Sequence, residues 1–331
     1  MTVHPSANDP SRALRDLVAA GRFQEALEAF GTGSGASLDR EPGMLLLAAK
    51  AATRVGRLDL AATLAGRALE EFTSKADADG RLQTTNLLGA IAFERGFIAD
   101  AEHHFGRALL LAQELDDSLV AARASNNLAS VAHLRGRPDL ALSLYRSAML
   151  SYQRLGDRRG TAETYHNLGL TFRDMAALGD ADDAATEAVR HAAMVGEKGL
   201  MALTLMGRAE VHMAKDDVRL ARSELEQAWK FATEAGDELG TAEVGRLRAL
   251  VALEEGKFAE AHRAAEAART IAAGYGSTLL QAESALASAR ALHALGDAPA
   301  MAERRDEAKR LFESLGAKAL LDELERVLPS S

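Results

Sequence analysis

The sequence predicts an all-α chain built as a solenoid of antiparallel helix pairs, and three observations carry that expectation. Hydrophobic residues make up 47 % of the 331 positions while aromatics supply only 5 %, and about a fifth of the chain is Ala, the strongest helix former. Only six prolines interrupt it. Comparing the chain with itself at an offset of forty residues aligns Ala68, Ala108, Ala148, Ala188, Ala228, Ala268 and Ala308 in one column, and a period of that length marks a repeat architecture.

The first thirty residues stand apart from the repeat. Residues 1–10 are polar, contain Pro5 and Pro10, and show no periodicity, so a disordered N-terminus is expected. Residues 11–30 read as a short or degenerate helix pair turned at Gly21, with Ala26 and Phe30 four apart on one face. Residues 31–41 read as a Gly/Ser-rich linker. A phosphate-cradling loop would need a preceding strand and a Lys at its end, and neither is present.

From residue 42 to 316 the period defines seven units. A second column, Ala61, Ala101, Ala141, Ala181, Ala221 and Ala261, breaks to Met301. It lies seven residues before the first, two turns along one helix face, where a methyl lets a neighbouring helix approach closely. Gly156, Gly196, Gly236, Gly276 and Gly316 stand where that helix must end, since glycine takes the left-handed conformation without a Cβ penalty. Asp157, Glu197 and Asp237 follow as expected caps of the next helix. An inner turn appears at Gly56, Gly96, Gly136, Gly256 and Gly296, with Pro138 just inside the following helix. Each unit is therefore helix, short turn, helix, short turn, and residues 317–331 supply a C-terminal capping helix through Leu320, Leu321 and Leu324.

Leu88-Gly89, Gly96, Ala101, Phe105 and Ala108, and again Leu128-Ala129, Gly136, Ala141, Tyr145 and Ala148, resemble the tetratricopeptide repeat (TPR) pattern. Leu168-Gly169, Ala181 and Ala188 match it in part, with Ala185 in place of the aromatic, and Arg208 and Arg248 stand where a Leu is expected. The period is longer than the usual 34 residues. In that respect the chain is similar to kinesin light chains, Pins-type polarity adaptors and bacterial peptide-sensing TPR regulators. The resemblance implies a right-handed superhelical solenoid whose first helices line a concave groove that binds a peptide. It implies a scaffold for a protein or peptide partner, or alternatively a ligand- or peptide-gated regulatory protein acting on an effector or on transcription machinery.

If Leu88, Leu128 and Leu168 point into the stack, helical geometry turns a set of neighbours toward that groove. The candidates are Asn86, Arg123, Asn126, Asn127, Ser130, His133, Glu163, His166, Asn167 and Arg173. Asn both donates and accepts, so a row of Asn can pair with a peptide backbone whatever its sequence. Asn127 and Asn167 serve equally well to hold neighbouring helices in register. Arg123, Arg173, His133 and His166 form a mildly basic centre suited to a carboxylate, or else a solvated face neutralised by Glu163 and Asp174. Trp229, the sole Trp, follows Ala228 in the core column and reads as a packing residue.

Charge and composition exclude other classes. A net charge of −9 argues against nucleic acid or anionic membrane, which need a positive field. The absence of cysteine removes disulfides, thiolate metal sites and cysteine nucleophiles. No apolar stretch approaches the roughly 18 residues that span a bilayer. His103-His104 project about 100° apart on a helix, which does not suit one metal. No catalytic, cofactor or metal constellation is expected, and a cytoplasmic location is. A homo-oligomer is compatible with the sequence.

Overall fold

The computed structural model describes residues 10–32 and 41–328. Residues 1–9 of the expected disordered N-terminus, 33–40 of the expected linker and 329–331 of the expected C-terminal cap lie outside the described residues. The chain divides into two compact units, residues 1–120 and 121–331.

The first unit holds α1 (Pro10–Ala19), α2 (Phe23–Thr32), α3 (Pro42–Arg54), α4 (Leu58–Ser74), α5 (Ala78–Glu94) and α6 (Ile98–Glu114). Leu14 of α1 and Ala26 and Phe30 of α2 share one cluster with Met44, Leu45 and Ala48 of α3. α2 runs on through Gly31 and Thr32, into the stretch read as linker.

α7 (Ser118–Leu134) begins in the last residues of the first unit and continues into the second. The second unit continues with α8 (Pro138–Leu155), α9 (Arg158–Asp174), α10 (Leu178–Val195), α11 (Lys198–Ala214) and α12 (Val218–Ala235). It ends with α13 (Glu238–Glu254), α14 (Phe258–Tyr275), α15 (Thr278–Leu295), α16 (Ala298–Leu315) and α17 (Lys318–Val327). Odd-numbered α7 to α15 are first helices of a pair and even-numbered α8 to α16 second helices. In this unit α9, α11, α13 and α15 each pack on the next in the series, whereas successive second helices barely approach one another. The first-helix layer is therefore the tighter, inner side of the stack.

The alanine columns account for this packing. Ala141, Ala181, Ala221 and Ala261 are wholly buried, as are Ala188 and Ala228. Where the second helix carries an aromatic, the facing first helix carries a residue too small to obstruct it. A Cβ at Gly89 would lie 2.6 Å from the Phe105 ring. Where Ala185 replaces the aromatic, the backbones close up instead, and a Cβ at Gly169 would lie 3.4 Å from the Ala181 carbonyl oxygen and the Ala185 nitrogen.

Helix ends follow local chemistry. Asp77, Asp157 and Asp237 each accept from the amide three residues on, at 2.8, 3.0 and 2.9 Å. Glu197, expected as a cap, makes no side-chain cap bond and pairs with Arg159 instead, its longer side chain reaching past the helix end. The inner turn is left-handed in every unit, including the two without glycine, where Ala176 and Asp216 have φ of 58° and 61°. Gly136 and Gly256 occupy that conformation in neighbouring units.

Two stability outcomes follow. A left-handed conformation costs an L-residue about 1–2 kcal/mol, so Ala176→Gly should raise stability by about 1 kcal/mol, read as a higher urea midpoint. Gly89→Ala should lower it by about 1–3 kcal/mol, because the Phe105 ring must move to admit a methyl. An unchanged thermal midpoint for Gly89→Ala would show that the ring contact does not constrain this pair.

Candidate functional site

Ten polar residues were expected on the inner face, and burial separates them into two groups. Asn126 and His166 occupy equivalent positions on α7 and α9, and each is 8 % exposed. Both point along the layer into the next first helix. Asn126 Oδ1 accepts from Thr164 Oγ1 of α9 at 3.1 Å. The His166 imidazole sits over Gly207 of α11, where a Cβ would overlap the ring. Its Nδ1 is buried without a hydrogen-bond partner, and burial, opposed by Glu210 and reinforced by Arg173, lowers its pKa to about 4. Both side chains, expected on the ligand-facing side, are buried here, with Asn126 Oδ1 and the His166 ring in the contact between successive first helices.

Extending the same column by forty residues at a time reaches Met206 and Arg246, which the sequence reading did not include. Arg246 is 7 % exposed, and its Nε lies 3.4 Å from Glu283 Oε2 of α15. That separation forms an ion pair but leaves Nε without a hydrogen bond. Burial disfavours the charge on Arg246, but the carboxylates of Glu283, Glu210 and Glu243 outweigh it and raise the guanidinium pKa. Burial likewise pushes the Glu283 carboxyl upward, against the pull of Arg246.

Arg173 and His133 of the expected basic centre have acidic partners. Arg173 binds Asp174 Oδ1 through Nε at 2.7 Å and pairs with Glu210 of α11. His133 Nε2 lies 2.8 Å from Asp174 Oδ2, and its Nδ1 lies 3.2 Å from Thr171 Oγ1. Burial alone would raise the Asp174 pKa, but the bonds from His133 and Arg173 overcome it and the pKa falls. Glu163 accepts from Arg159 Nε at 3.0 Å, and Ser130 pairs with the Tyr145 hydroxyl at 3.0 Å. Of the expected cations only Arg123 is exposed and without an ion pair among the described residues.

Of the expected residues in the second unit, Arg123, Asn127 and Asn167 are exposed or partly exposed and have no side-chain hydrogen bond or ion pair among the described residues. The two Asn are partly exposed, and their carboxamides make no hydrogen bond among the described residues. They stand at equivalent positions on α7 and α9, one interhelix spacing apart, about 8–10 Å. Asn86 belongs to the first unit, where its Oδ1 is buried without a partner.

Among the described residues no group of three or more His, Asp or Glu is arranged to hold a metal, and no helix is long and apolar enough to cross a membrane. Trp229, read as packing, is 38 % exposed and carries the Arg248 guanidinium 5.0 Å above its ring. Arg208 finds its partner in the buried Glu224 of α12, with Nε at 2.8 and 2.9 Å from the two carboxylate oxygens. The two arginines that replace the expected Leu thus hold their units by charge and by ring contact.

Residues 80–149 and 120–193 match a family model described as tetratricopeptide repeat, about a third of the chain. No curated protein matches the sequence. Among solved structures, the chain is similar to a Rap protein complexed with competence and sporulation factor (TM-score 0.62, 13 % identity, 96 % of this chain and 96 % of that one). It is also similar to the Rap conjugation gene regulator of the plasmid pLS20 in complex with the Phr* peptide (0.67, 17 %, 86 % and 75 %). A third likeness is to NprR in complex with its cognate peptide NprX (0.64, 12 %, 99 % and 97 %). At these identities the likeness is one of fold, the α-α superhelix of TPR proteins.

The buried His166 sets an acid limit on stability. A folded pKa near 4 against about 6.5 unfolded means that the unfolded chain takes up a proton first as pH falls below 6.5. Stability is then lost from about pH 6.5 down to about pH 4, with roughly 2 kcal/mol gone by pH 5. His166→Asn, which installs the residue of the preceding unit, should flatten this loss in urea titrations at pH 7 and pH 5. An equal loss in the variant would assign the acid sensitivity elsewhere.

Proposed function

We propose that this array of tetratricopeptide-type helix pairs binds an extended peptide segment of a protein partner along the first-helix face of its second unit. The carrying observation is that Asn127 and Asn167 carry partly exposed carboxamides with no hydrogen bond among the described residues, while their neighbours Asn126 and His166 are buried. A spacing of about 8–10 Å matches about three residues of extended chain, so the two side chains can hold backbone amides of one strand. Arg123, with no ion pair among the described residues, takes an acidic side chain or terminal carboxylate beside them. Three solved proteins of this fold whose descriptions name a bound factor or peptide support the reading. The protein acts without catalysis, and it works in the cytoplasm.

A second reading, a regulatory array gated by its ligand, draws on the ion pairs that tie successive first helices. Arg173 of α9 reaches Glu210 of α11, and Arg246 of α13 reaches Glu283 of α15. A change in pitch must break or re-pair them. Solution scattering with and without bound peptide separates the two: a passive scaffold keeps its scattering profile and a gated one changes it.

Panning a random-sequence peptide phage library on the full chain supplies the probe. Enriched peptides should bind the double variant Asn127→Ala, Asn167→Ala about 30-fold more weakly, from two bonds of about 1 kcal/mol each, with the thermal midpoint unchanged. Equal affinity for both proteins, or no enrichment, would overturn the assignment.

A further inference from the structure

A cleft of about 350 Å³ opens between α12, α13 and α14 of the second unit, bounded by Trp229, Gly245, Arg248, Arg263, Ala264 and Ile271. It exists because a side chain is missing. The positions equivalent to Gly245 in the two preceding units are Tyr165, whose ring stacks on His191 with centroids 5.7 Å apart, and the buried Leu205. Packing does not demand glycine here. A Cβ at 245 would meet Ala268 Cβ at 3.9 Å and the Trp229 ring at 4.0 Å, ordinary contact distances, although glycine is disfavoured inside a helix relative to alanine. By contrast, Gly89 and Gly207 have rings pressed against them.

The cleft also carries a surplus of positive charge. The chain carries a net charge of −9, and Arg159, Arg173, Arg208, Arg246, Arg269 and Arg304 of this unit are all paired with carboxylates. Arg248 and Arg263 are exposed and form no ion pair among the described residues, even though Glu260 also borders the cleft. Two guanidiniums against one carboxylate leave a surplus positive charge. Arg248 is held against the Trp229 ring, a cation–π contact that orients its N–H edge without neutralising it.

We propose that this cleft binds a small aromatic carboxylate. The ring lies over the apolar floor of Gly245, Ala264 and Ala268 beside Trp229, and the carboxylate takes N–H bonds from Arg248 and Arg263. The volume falls at the lower end of small-molecule sites, which suits a single ring better than a drug-sized body. The site lies between second helices and their shared first helix, and it is independent of the peptide face.

Trp229 is the only tryptophan, so its fluorescence reports this cleft alone. Titration of the full chain with 4-fluorophenylacetate, read by that fluorescence and by fluorine NMR line width, should saturate. The neutral 4-fluorophenylacetamide should bind at least tenfold more weakly. Arg263→Gln, at an exposed position that leaves the core untouched, should weaken the carboxylate at least fivefold, and Gly245→Leu should abolish binding with helical circular dichroism retained. No saturable signal with the carboxylate, equal affinity for the amide, or unchanged affinity in Arg263→Gln would each overturn the proposal.

Discussion

Alanine methyls at two points per second helix set how near the helices of a pair can come, and the other contacts of the second unit adjust to that spacing. Ala141 and Ala148, Ala181 and Ala188, and Ala221 and Ala228 are almost wholly buried. A residue one methylene larger would push the partner helix away, and a well-packed interior does not absorb such a change without strain. With that distance fixed, the remaining volume is divided between the two helices of each pair. In the first unit Phe105 takes such space from Gly89, and in the second, where Ala185 yields it, the α9 backbone moves in.

Most of this was legible because it depends on side-chain volume at a fixed period. The columns of Ala, the glycine at the helix end and the aspartates that follow it each name a physical task that one residue type performs well. Two features were not legible and a third was missed, for separate reasons. Asn126 and Asn127 differ by one step of about 100° around a helix, and that step decides whether a carboxamide enters the contact with the next repeat or faces outward. Sequence spacing could not place the boundary between those two directions. Ala176 and Asp216 adopt a left-handed turn that their residue types disfavour, because the helices on either side have already fixed where the chain must reverse. Arg246 could have been found: continuing the Asn126 column by forty residues at a time reaches it.

The inner layer shows how a strongly acidic chain hides its charges. Arg173 to Glu210 spans 37 residues and Arg246 to Glu283 another 37, in each case one repeat forward and about one turn back. Side chains on a helix lean toward its N-terminus, and long Arg and Glu side chains meet most easily along that diagonal. Such pairs contribute little net stability once their desolvation is counted, but breaking one leaves an uncompensated charge. Their effect is on register, since a slip of one turn between successive first helices would set like charges together.

The later units show what happens when the volume rule is relaxed. Arg208 and Arg248 stand where the earlier pairs have Leu128 and Leu168, and each replaces apolar packing by a directed contact, to Glu224 and to Trp229. A directed contact fixes a side chain along one edge and leaves space elsewhere, whereas Leu fills the gap from all sides. Arg208 closes its gap because Glu224 is buried against it. Arg248 does not, because its partner is a flat ring and the facing position is Gly245, so the space between α12 and α14 stays open to solvent. The same substitution therefore seals one repeat and opens the next, and the difference lies wholly in what stands opposite.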